Sequence, residues 1–235
     1  MASIDFPLYK LPSNAIIQVI STMDTISLVA LSLISTRSKE LVRSLNLKDE
    51  HFLLSIARLV SVSRKLPYSE FPRFSLHLDE MRDFDAYPIQ LDQAPILIKV
   101  WESYSTVFEW RNPRNLNFQE IFEHFLSIFQ VKEVYKIHFW EGIREIVEIE
   151  KLKKMLPKFK NLVVPTHSTD CAQQILKAFL PDSRSLSTFS DLFYTRHQTP
   201  ISLQNFGIQN LDEASIKNIT SLELEDLLTL NARQI

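Results

Sequence analysis

The only cluster in the chain that combines nucleophiles with a base is the run Thr166-His167-Ser168-Thr169-Asp170-Cys171. A serine or cysteine nucleophile needs a base within hydrogen-bond reach and a third group that orients the base. Neighbours in sequence rarely adopt that geometry, and a helix start explains the run better. Asp170 is placed to cap a helix, Gln173 stands at the capping-box position, and Cys171 is a small apolar residue. We predict no catalytic residues and no enzyme, and an enzyme centred on Cys171 and His167 remains the alternative.

The other side chains that bind metals or polyanions show no suitable spacing. The six histidines form no HxxxH pattern and the single cysteine forms no CxxC pair, whereas structural zinc sites draw on paired cysteines and histidines. The glutamates from Glu141 to Glu150 stand among Arg144 and the lysines at 151, 153 and 154, which is typical of a solvated helix face. The formal net charge of -2 gives no basic field for nucleic acid. We predict no metal, no cofactor and no nucleic-acid partner.

Glycine is unusually rare, with only Gly142 and Gly207 in the chain. Phosphate-binding loops and dinucleotide-binding motifs need several glycines in a short span, because the backbone must approach the ligand closely or adopt positive φ. These two glycines are too few and too far apart in the sequence to form either motif. We therefore predict no nucleotide-dependent catalysis of the common kinds.

The bulk composition indicates a globular protein of a reducing compartment. The chain has 235 residues, of which 45% are hydrophobic and 23% charged. The densest apolar run, Ile26 to Ile34, is shorter than the roughly 20 residues needed to cross a bilayer. No basic lead followed by an apolar core indicates a secretory signal, and one cysteine, Cys171, allows no internal disulfide. We expect a cytoplasmic or nuclear location, or both, and no membrane association.

Residues 11 to 45 predict three short helices. Pro12 suits a helix start, with Ser13 or Asn14 supplying a capping oxygen. Asp24 and Thr25 interrupt the helical spacing of apolar residues before a second helix, and a third helix begins at Ser35 or Thr36.

This N-terminal segment holds more apolar residues than a small module can bury. From Phe6 to Leu45, 20 of 40 residues are apolar, and a unit of about 40 residues buries only a limited share of its surface. The apolar side chains that the module cannot bury by itself are expected to pack against another protein or against the rest of this chain. The pattern alone leaves both interpretations open.

The middle of the chain changes from helix to strand. Apolar residues at Phe52, Leu53, Ile56, Leu59 and Val60 predict a helix over 50–66. Period-two alternation and apolar runs predict strands at 75–79, 96–101 and 106–110, and helical spacing predicts a helix over 118–129.

From residue 137 onward strands and helices alternate at nearly regular intervals. Strands predicted at 137–139, 162–164 and 186–189 begin 25 and 24 residues apart, within the range of leucine-rich strand–helix repeats. Helices are predicted at 143–156 and about 171–180, and further strands at 201–203 and 222–224. The predicted fold is α+β or α/β, with an N-terminal three-helix module followed by a degenerate leucine-rich-repeat-like strand–helix region.

The N-terminal segment resembles an F-box. The resemblance rests on an ordered set of residues: Phe6-Pro7-Leu8, Leu11-Pro12, Ile16, Ile17, Val19, Ile20, Met23, Leu28, Leu31-Ser32-Leu33-Ile34, Ser35 and Arg37. Many F-boxes place tryptophan one position after the arginine, where this chain has Ser38.

The remainder resembles the nematode-expanded proteins that join an F-box to a type 2 F-box-associated region. The matching stretches are Leu156-Pro157-Lys158, Gln204-Asn205-Phe206 and Leu222 to Leu228, followed by Asn231. The resemblance implies an F-box at 1–48, a linker or helix at 49–72 and an F-box-associated, substrate-binding region at 73–235. In such relatives this region is expected to continue past the last motif, so it looks short here.

The resemblance also implies a function. The F-box is expected to dock onto the Skp-type linker of a cullin-based SCF ubiquitin ligase, while the C-terminal region recruits a protein target that the sequence does not identify. The residues expected to bind the linker are Leu11, Pro12, Ile16, Ile17, Ile20, Leu28, Leu31 and Ile34. The alternative is an F-box protein that binds the linker without ligase activity, or a shortened relative with an impaired substrate arm.

Overall fold

The computed structural model describes most of the chain in separate ranges, and every statement below refers to these residues. The ranges are 8–48, 51–56, 60–64, 73–77, 95, 97–102, 105–112, 114–140, 149–165, 170–189, 209–216 and 230–232.

The three predicted N-terminal helices are confirmed. A 3-10 turn over Leu8–Lys10 leads into α1 (Ser13–Ser21), α2 (Thr25–Ile34) and α3 (Thr36–Ser44).

The three helices differ in the residue that caps their N-terminus. The Asp24 side chain caps α2 by accepting a hydrogen bond from the Ser27 backbone N–H at 2.8 Å, and Ser35 caps α3 by accepting from the Ser38 N–H at 3.1 Å. The prediction that Ser13 or Asn14 caps α1 was wrong. The N-cap residue is Pro12, which makes no side-chain hydrogen bond, and its φ of -56° is set by its ring.

The predicted helix over 50–66 was wrong, because β1 (Phe52–Ile56) and β2 (Val60–Arg64) form an antiparallel pair there. Every residue of β1 is buried, so its sequence lacks the alternation of apolar and polar residues that marks a strand. A short apolar run of this kind cannot be distinguished from a buried helix by periodicity alone. In β2, Val60 and Val62 alternate with serines, which is the period of a strand.

The later elements follow the predicted order. They are β3 (Arg73–His77), β4 (Leu97–Glu102), β5 (Ser105–Arg111), α4 (Phe118–Ile128), β6 (Glu133–Phe139), α5 (Ile149–Met155), β7 (Lys158–Pro165), α6 (Asp170–Phe179), a 3-10 turn (Leu180–Asp182), β8 (Ser185–Phe189), β9 (Gln209–Leu211), β10 (Glu213–Ile216) and β11 (Leu230–Ala232). The strands predicted at 75–79, 96–101, 106–110, 137–139, 162–164 and 186–189 and the helices at 118–129 and 171–180 are thereby confirmed within a few residues. The predicted strands at 201–203 and 222–224, and residues 143–148 of the predicted helix, lie outside the described residues.

The strands form one mixed nine-stranded sheet in the order β10-β8-β7-β6-β1-β2-β3-β4-β5. Strands β1 to β5 pair antiparallel with their sequence neighbours. Strands β1, β6, β7, β8 and β10 pair in parallel, and β9 pairs with β11 in a separate two-stranded sheet. This is an α+β architecture with an antiparallel half and a parallel half.

The parallel half aligns the residues whose spacing suggested a repeat. Ile137 pairs with Leu162 and Leu162 pairs with Leu186, and the row continues to Leu54 on one side and Ala214 on the other. All five side chains are buried. The register explains the regular intervals in the sequence, whereas the leucine-rich-repeat-like description stays a prediction because the antiparallel half has no such repeat.

One apolar core runs from the N-terminal helices through the sheet. Helix α4 lies on the face of the sheet that carries Phe52 and Phe74. The ring centroids of Phe74 and Phe125 are 5.1 Å apart, and those of Phe52 and Phe122 are 6.2 Å apart. In the ranges described above, no helix is long and apolar enough to span a membrane.

Candidate functional site

The eight residues predicted to bind the linker divide into three groups by burial. Ile16, Ile20 and Leu28 lie in the core, Leu11 and Leu31 are half-buried against it, and Pro12, Ile17 and Ile34 are exposed. The three core residues therefore have no surface to offer a partner, and any effect that they have on docking is indirect.

Helix geometry explains why Ile17 is exposed. Ile16 and Ile20 stand one turn apart on the face of α1 that meets the core, so Ile17 points away from it. Its exposed fraction is 41%, and that of Ile34 at the last position of α2 is 64%. Complete burial of a side chain of this size contributes about 1.5–3 kcal/mol. Both residues therefore have apolar surface left to bury against a partner.

Among the described residues, five large apolar side chains are exposed, and three of them lie in the helical module. These are Tyr9, Ile17 and Ile34; the other two, Phe108 and Trp140, belong to the sheet region. Contiguous exposed apolar surface is typical of protein-binding sites, so these side chains are candidates for contact with a partner. This concentration favours the interpretation that part of the apolar excess meets another protein.

Tyr9 is a residue that the sequence analysis missed. Its hydroxyl hydrogen-bonds with the hydroxyl of Ser38, which is fully buried and lies 2.8 Å from the Ser35 hydroxyl. The Arg37 guanidinium carbon lies 4.8 Å from the centroid of the Tyr9 ring, in cation–π geometry. Tyr9 thus packs the N-terminal turn onto α3 beside the position where many F-boxes carry tryptophan. The sequence signal for this contact is a small residue at position 38 together with an aromatic residue upstream at position 9.

A buried polar contact joins the helical module to the sheet region. The Ser32 hydroxyl donates to the Val29 carbonyl at 2.7 Å and lies 2.8 Å from Nε2 of His124 on α4. This arrangement places the ring proton of His124 on Nε2, which donates to the Ser32 oxygen. On the surface, the Gln130 side-chain amide donates to the Arg43 carbonyl at 3.2 Å.

Burial keeps His124 neutral. Burial lowers the pKa of His124 to about 4, with smaller contributions from the positive charges of Lys39 and Arg114. A buried imidazole loses hydration when it is charged, so the neutral form is favoured. The Ser32–His124 contact is therefore uncharged at neutral pH.

The face of the sheet opposite α4 carries small polar side chains. Strand register aligns a row across all nine strands: Glu109, Lys99, Ser75, Ser61, Ser55, His138, Val163, Ser187 and Ser215. The His138 ring stacks on Trp140 with centroids 4.2 Å apart, and Lys99 lies 3.5 Å from Glu109. Ser55, Ser61 and Ser75 in the middle of this row are buried, so only part of the row is accessible to a partner.

Reactive clusters are not found in the part of the chain that the structure describes. No group of three or more His, Cys, Asp or Glu side chains there could hold a metal ion. His167 lies outside the described residues, and Cys171 is described only as a backbone position in α6. The alternative of an enzyme centred on these two residues is therefore untested.

Comparison with known families identifies the helical module. Residues 8–50 match the F-box domain, so the chain contains an F-box. F-box domains bind Skp-type linkers within SCF complexes, and proteins that carry them are generally non-catalytic adaptors. No curated protein and no solved structure matches the chain.

Proposed function

We propose that this protein is a substrate-recognition adaptor of an SCF-type cullin ubiquitin ligase. The observation that carries the proposal is the F-box at residues 8–50, whose helices leave Ile17 and Ile34 exposed. The F-box binds a Skp-type linker and, through it, a cullin. The chain itself performs no chemistry and needs no cofactor.

The exposed residues make the direct contacts in this proposal. Pro12, Ile17 and Ile34 insert into the linker surface, with the half-buried Leu11 and Leu31 beside them. Ile16, Ile20 and Leu28 act by holding α1 and α2 at the angle that presents those side chains. This assignment resembles helix-in-groove recognition, in which apolar anchors fill a partner's groove, with anchors from α1, α2 and the turn before α1.

The region after the F-box recruits the target. We assign it to the type 2 F-box-associated region of the nematode-expanded family, on the strength of the stretches at 156–158, 204–206 and 222–228. The in-register row from Ile137 to Ala214 supports a leucine-rich-repeat-like parallel half. We expect exposed residues of this region to meet the target protein, which the sequence does not identify.

In the proposed mechanism the protein holds its target close to the ubiquitin-conjugating enzyme. A target held near a ubiquitin-conjugating enzyme experiences a high effective concentration without catalysis by the adaptor. The continuous core and the Ser32–His124 contact between α2 and α4 favour a fixed angle between F-box and sheet. In this proposal the protein acts in the cytoplasm or nucleus, on a protein target, with no nucleic-acid or membrane partner.

The proposal is tested by affinity purification of the tagged full chain, with and without proteasome inhibition. Linker and cullin should co-purify, and at least one further protein should accumulate only under inhibition. Recovery of linker without cullin, and without any stabilised protein, would support linker binding without ligase activity instead. Absence of the linker would refute the adaptor role altogether.

A further inference from the structure

The exposed residues that we assign to linker contact lie on separate segments of the F-box. Pro12 is the N-cap of α1 and closely follows the 3-10 turn over Leu8–Lys10, whereas Ile34 is the last residue of α2. A partner that meets both residues at once needs them at a fixed spacing. Anchors that are already held in place bind more tightly, because less conformational freedom is lost on binding.

A chain of three hydroxyl groups connects these two segments. The Tyr9 hydroxyl of the turn hydrogen-bonds with the Ser38 hydroxyl, which lies 2.8 Å from the Ser35 hydroxyl. Ser35 directly follows Ile34 and accepts from the Ser38 backbone N–H at 3.1 Å. Each hydroxyl can donate one hydrogen bond and accept others, so all three groups can be satisfied in sequence. The chain thus joins the turn before Pro12 to the residue after Ile34.

The remaining contacts of the turn fix its direction less closely. Leu8 and Leu11 are half-buried against the core, and the Leu11 N–H donates to the Leu8 carbonyl at 3.2 Å. Apolar contacts have no preferred direction, whereas a hydrogen bond depends on angle as well as distance. The Tyr9 side chain, with the Arg37 guanidinium carbon 4.8 Å from its ring centroid, therefore sets the orientation of the turn relative to α3.

We infer that Tyr9 and Ser38 are positioning residues for linker docking, because their hydrogen bond holds Pro12 and Ile34 at the spacing that the linker meets. The inference rests on the proposed function. Ser38 is fully buried, so it cannot contact a partner itself and acts only through its neighbours. Without the hydrogen bond the correct spacing is adopted by only part of the folded population, and the apparent dissociation constant rises accordingly.

Calorimetric titration of the full chain with purified linker tests the inference, using the wild type, Tyr9→Phe, Ser38→Ala and the double variant. Tyr9→Phe keeps the ring beside Arg37 and removes only the hydroxyl, and Ser38→Ala removes the partner of that hydroxyl. Each single variant should bind the linker about two- to tenfold more weakly, which is the range that one such hydrogen bond can contribute. The double variant should be no weaker than the weaker single variant, because both changes remove the same bond.

Asn117→Ala is the control for a general loss of stability. The Asn117 side chain caps α4, outside the F-box, by accepting from the Glu120 backbone N–H at 2.9 Å. Loss of a helix cap and loss of the Tyr9 hydrogen bond destabilise a protein by similar amounts. The control should nevertheless bind the linker as the wild type does. If it binds as weakly as Tyr9→Phe, the effect of Tyr9 on docking is only a loss of stability and the inference is wrong.

Amide hydrogen exchange of the free chain provides a readout that does not involve the linker. The Leu11 amide of the turn should exchange faster in Tyr9→Phe and in Ser38→Ala than in the wild type and in Asn117→Ala, since the turn is then less firmly held. Unchanged exchange at Leu11 would overturn the inference, whatever the linker titration shows. Circular dichroism of each variant shows that it is folded.

The titration separates failure of the inference from failure of the proposed function. A wild type that does not bind the linker would refute the proposed function and the inference with it. If the wild type binds and Tyr9→Phe is weaker but Ser38→Ala is not, the Tyr9 hydroxyl contacts the linker directly and has no positioning role. Additive losses in the double variant would likewise contradict a shared role of Tyr9 and Ser38.

Discussion

Single residues in the F-box divide into those that hold the module together and those that face outward. Ile16 and Ile17 are neighbours of the same type, yet one is in the core and the other is exposed. The sequence predicts both as docking residues because periodicity identifies an apolar helix but not which of two adjacent apolar positions its neighbours cover. That distinction depends on the packing of α1 against the rest of the chain.

The buried His124 makes stability depend on pH. Its pKa is about 4 in the folded protein and about 6.5 in the unfolded chain. Between these values the unfolded chain binds a proton that the folded protein does not, so stability should fall as the pH drops from about 6.5 towards 4, by at most about 3 kcal/mol.

Urea unfolding of the wild type and His124→Gln at a series of pH values measures this loss. The variant lacks the titrating group, so its stability should depend less steeply on pH over that window. Equal slopes for the two proteins would contradict a neutral, buried His124.

Tyr9 and Ser38 give a second prediction at this scale. Tyr9→Phe keeps the ring over Arg37 but removes the hydroxyl that bonds with buried Ser38. A net loss of about 0.5–1.5 kcal/mol in the free energy of unfolding is expected for one such hydrogen bond. Denaturant unfolding measures it, and an unchanged midpoint would show that the contact does not stabilise the module.

At the scale of elements, capping chemistry and periodicity each succeeded in part. Ser35 caps α3 as predicted and Asp24 caps α2 where the helical spacing is interrupted, whereas the predicted Ser13 or Asn14 cap of α1 is absent. Residues 50–66 were assigned to a helix because β1 is buried on both faces. The central position of β1 between β2 and β6 and the packing of α4 on one face contribute to that burial, and one segment's pattern does not reveal them.

The cap of α2 can be tested directly. Asp24 accepts bonds from both the backbone N–H and the hydroxyl of Ser27 at 2.8 Å, and these bonds lower the pKa of its carboxyl. Asp24→Ala should destabilise the protein by about 0.5–2 kcal/mol, whereas Asp24→Asn should cost less because its amide oxygen can still accept. Equal unfolding free energies for the wild type and Asp24→Ala would contradict a stabilising cap.

At the scale of the whole molecule, the F-box and the sheet share one apolar core. The sequence left open whether the apolar excess of the first helices meets another protein or this chain, and the structure buries part of it within this chain and leaves part exposed. Ile20, Leu33 and Val42 are buried within the chain, and Ile17 and Ile34 are exposed. The in-register parallel strands were predictable from their spacing, whereas the order of strands in the sheet depends on long-range pairing.

The central claim is that the exposed apolar residues of the F-box dock onto a Skp-type linker. Calorimetric titration of the full chain with purified linker tests it most directly, using the wild type, Ile17→Glu, Ile34→Glu and the neighbouring control Gln18→Glu. Gln18 is exposed on the same helix as Ile17, so the control adds the same charge without removing apolar surface. We predict tight binding by the wild type and by Gln18→Glu, and a loss of about tenfold or more for each isoleucine variant, because a charge would be buried in an apolar contact. A wild type that does not bind, or isoleucine variants that bind as tightly as Gln18→Glu, would contradict the claim.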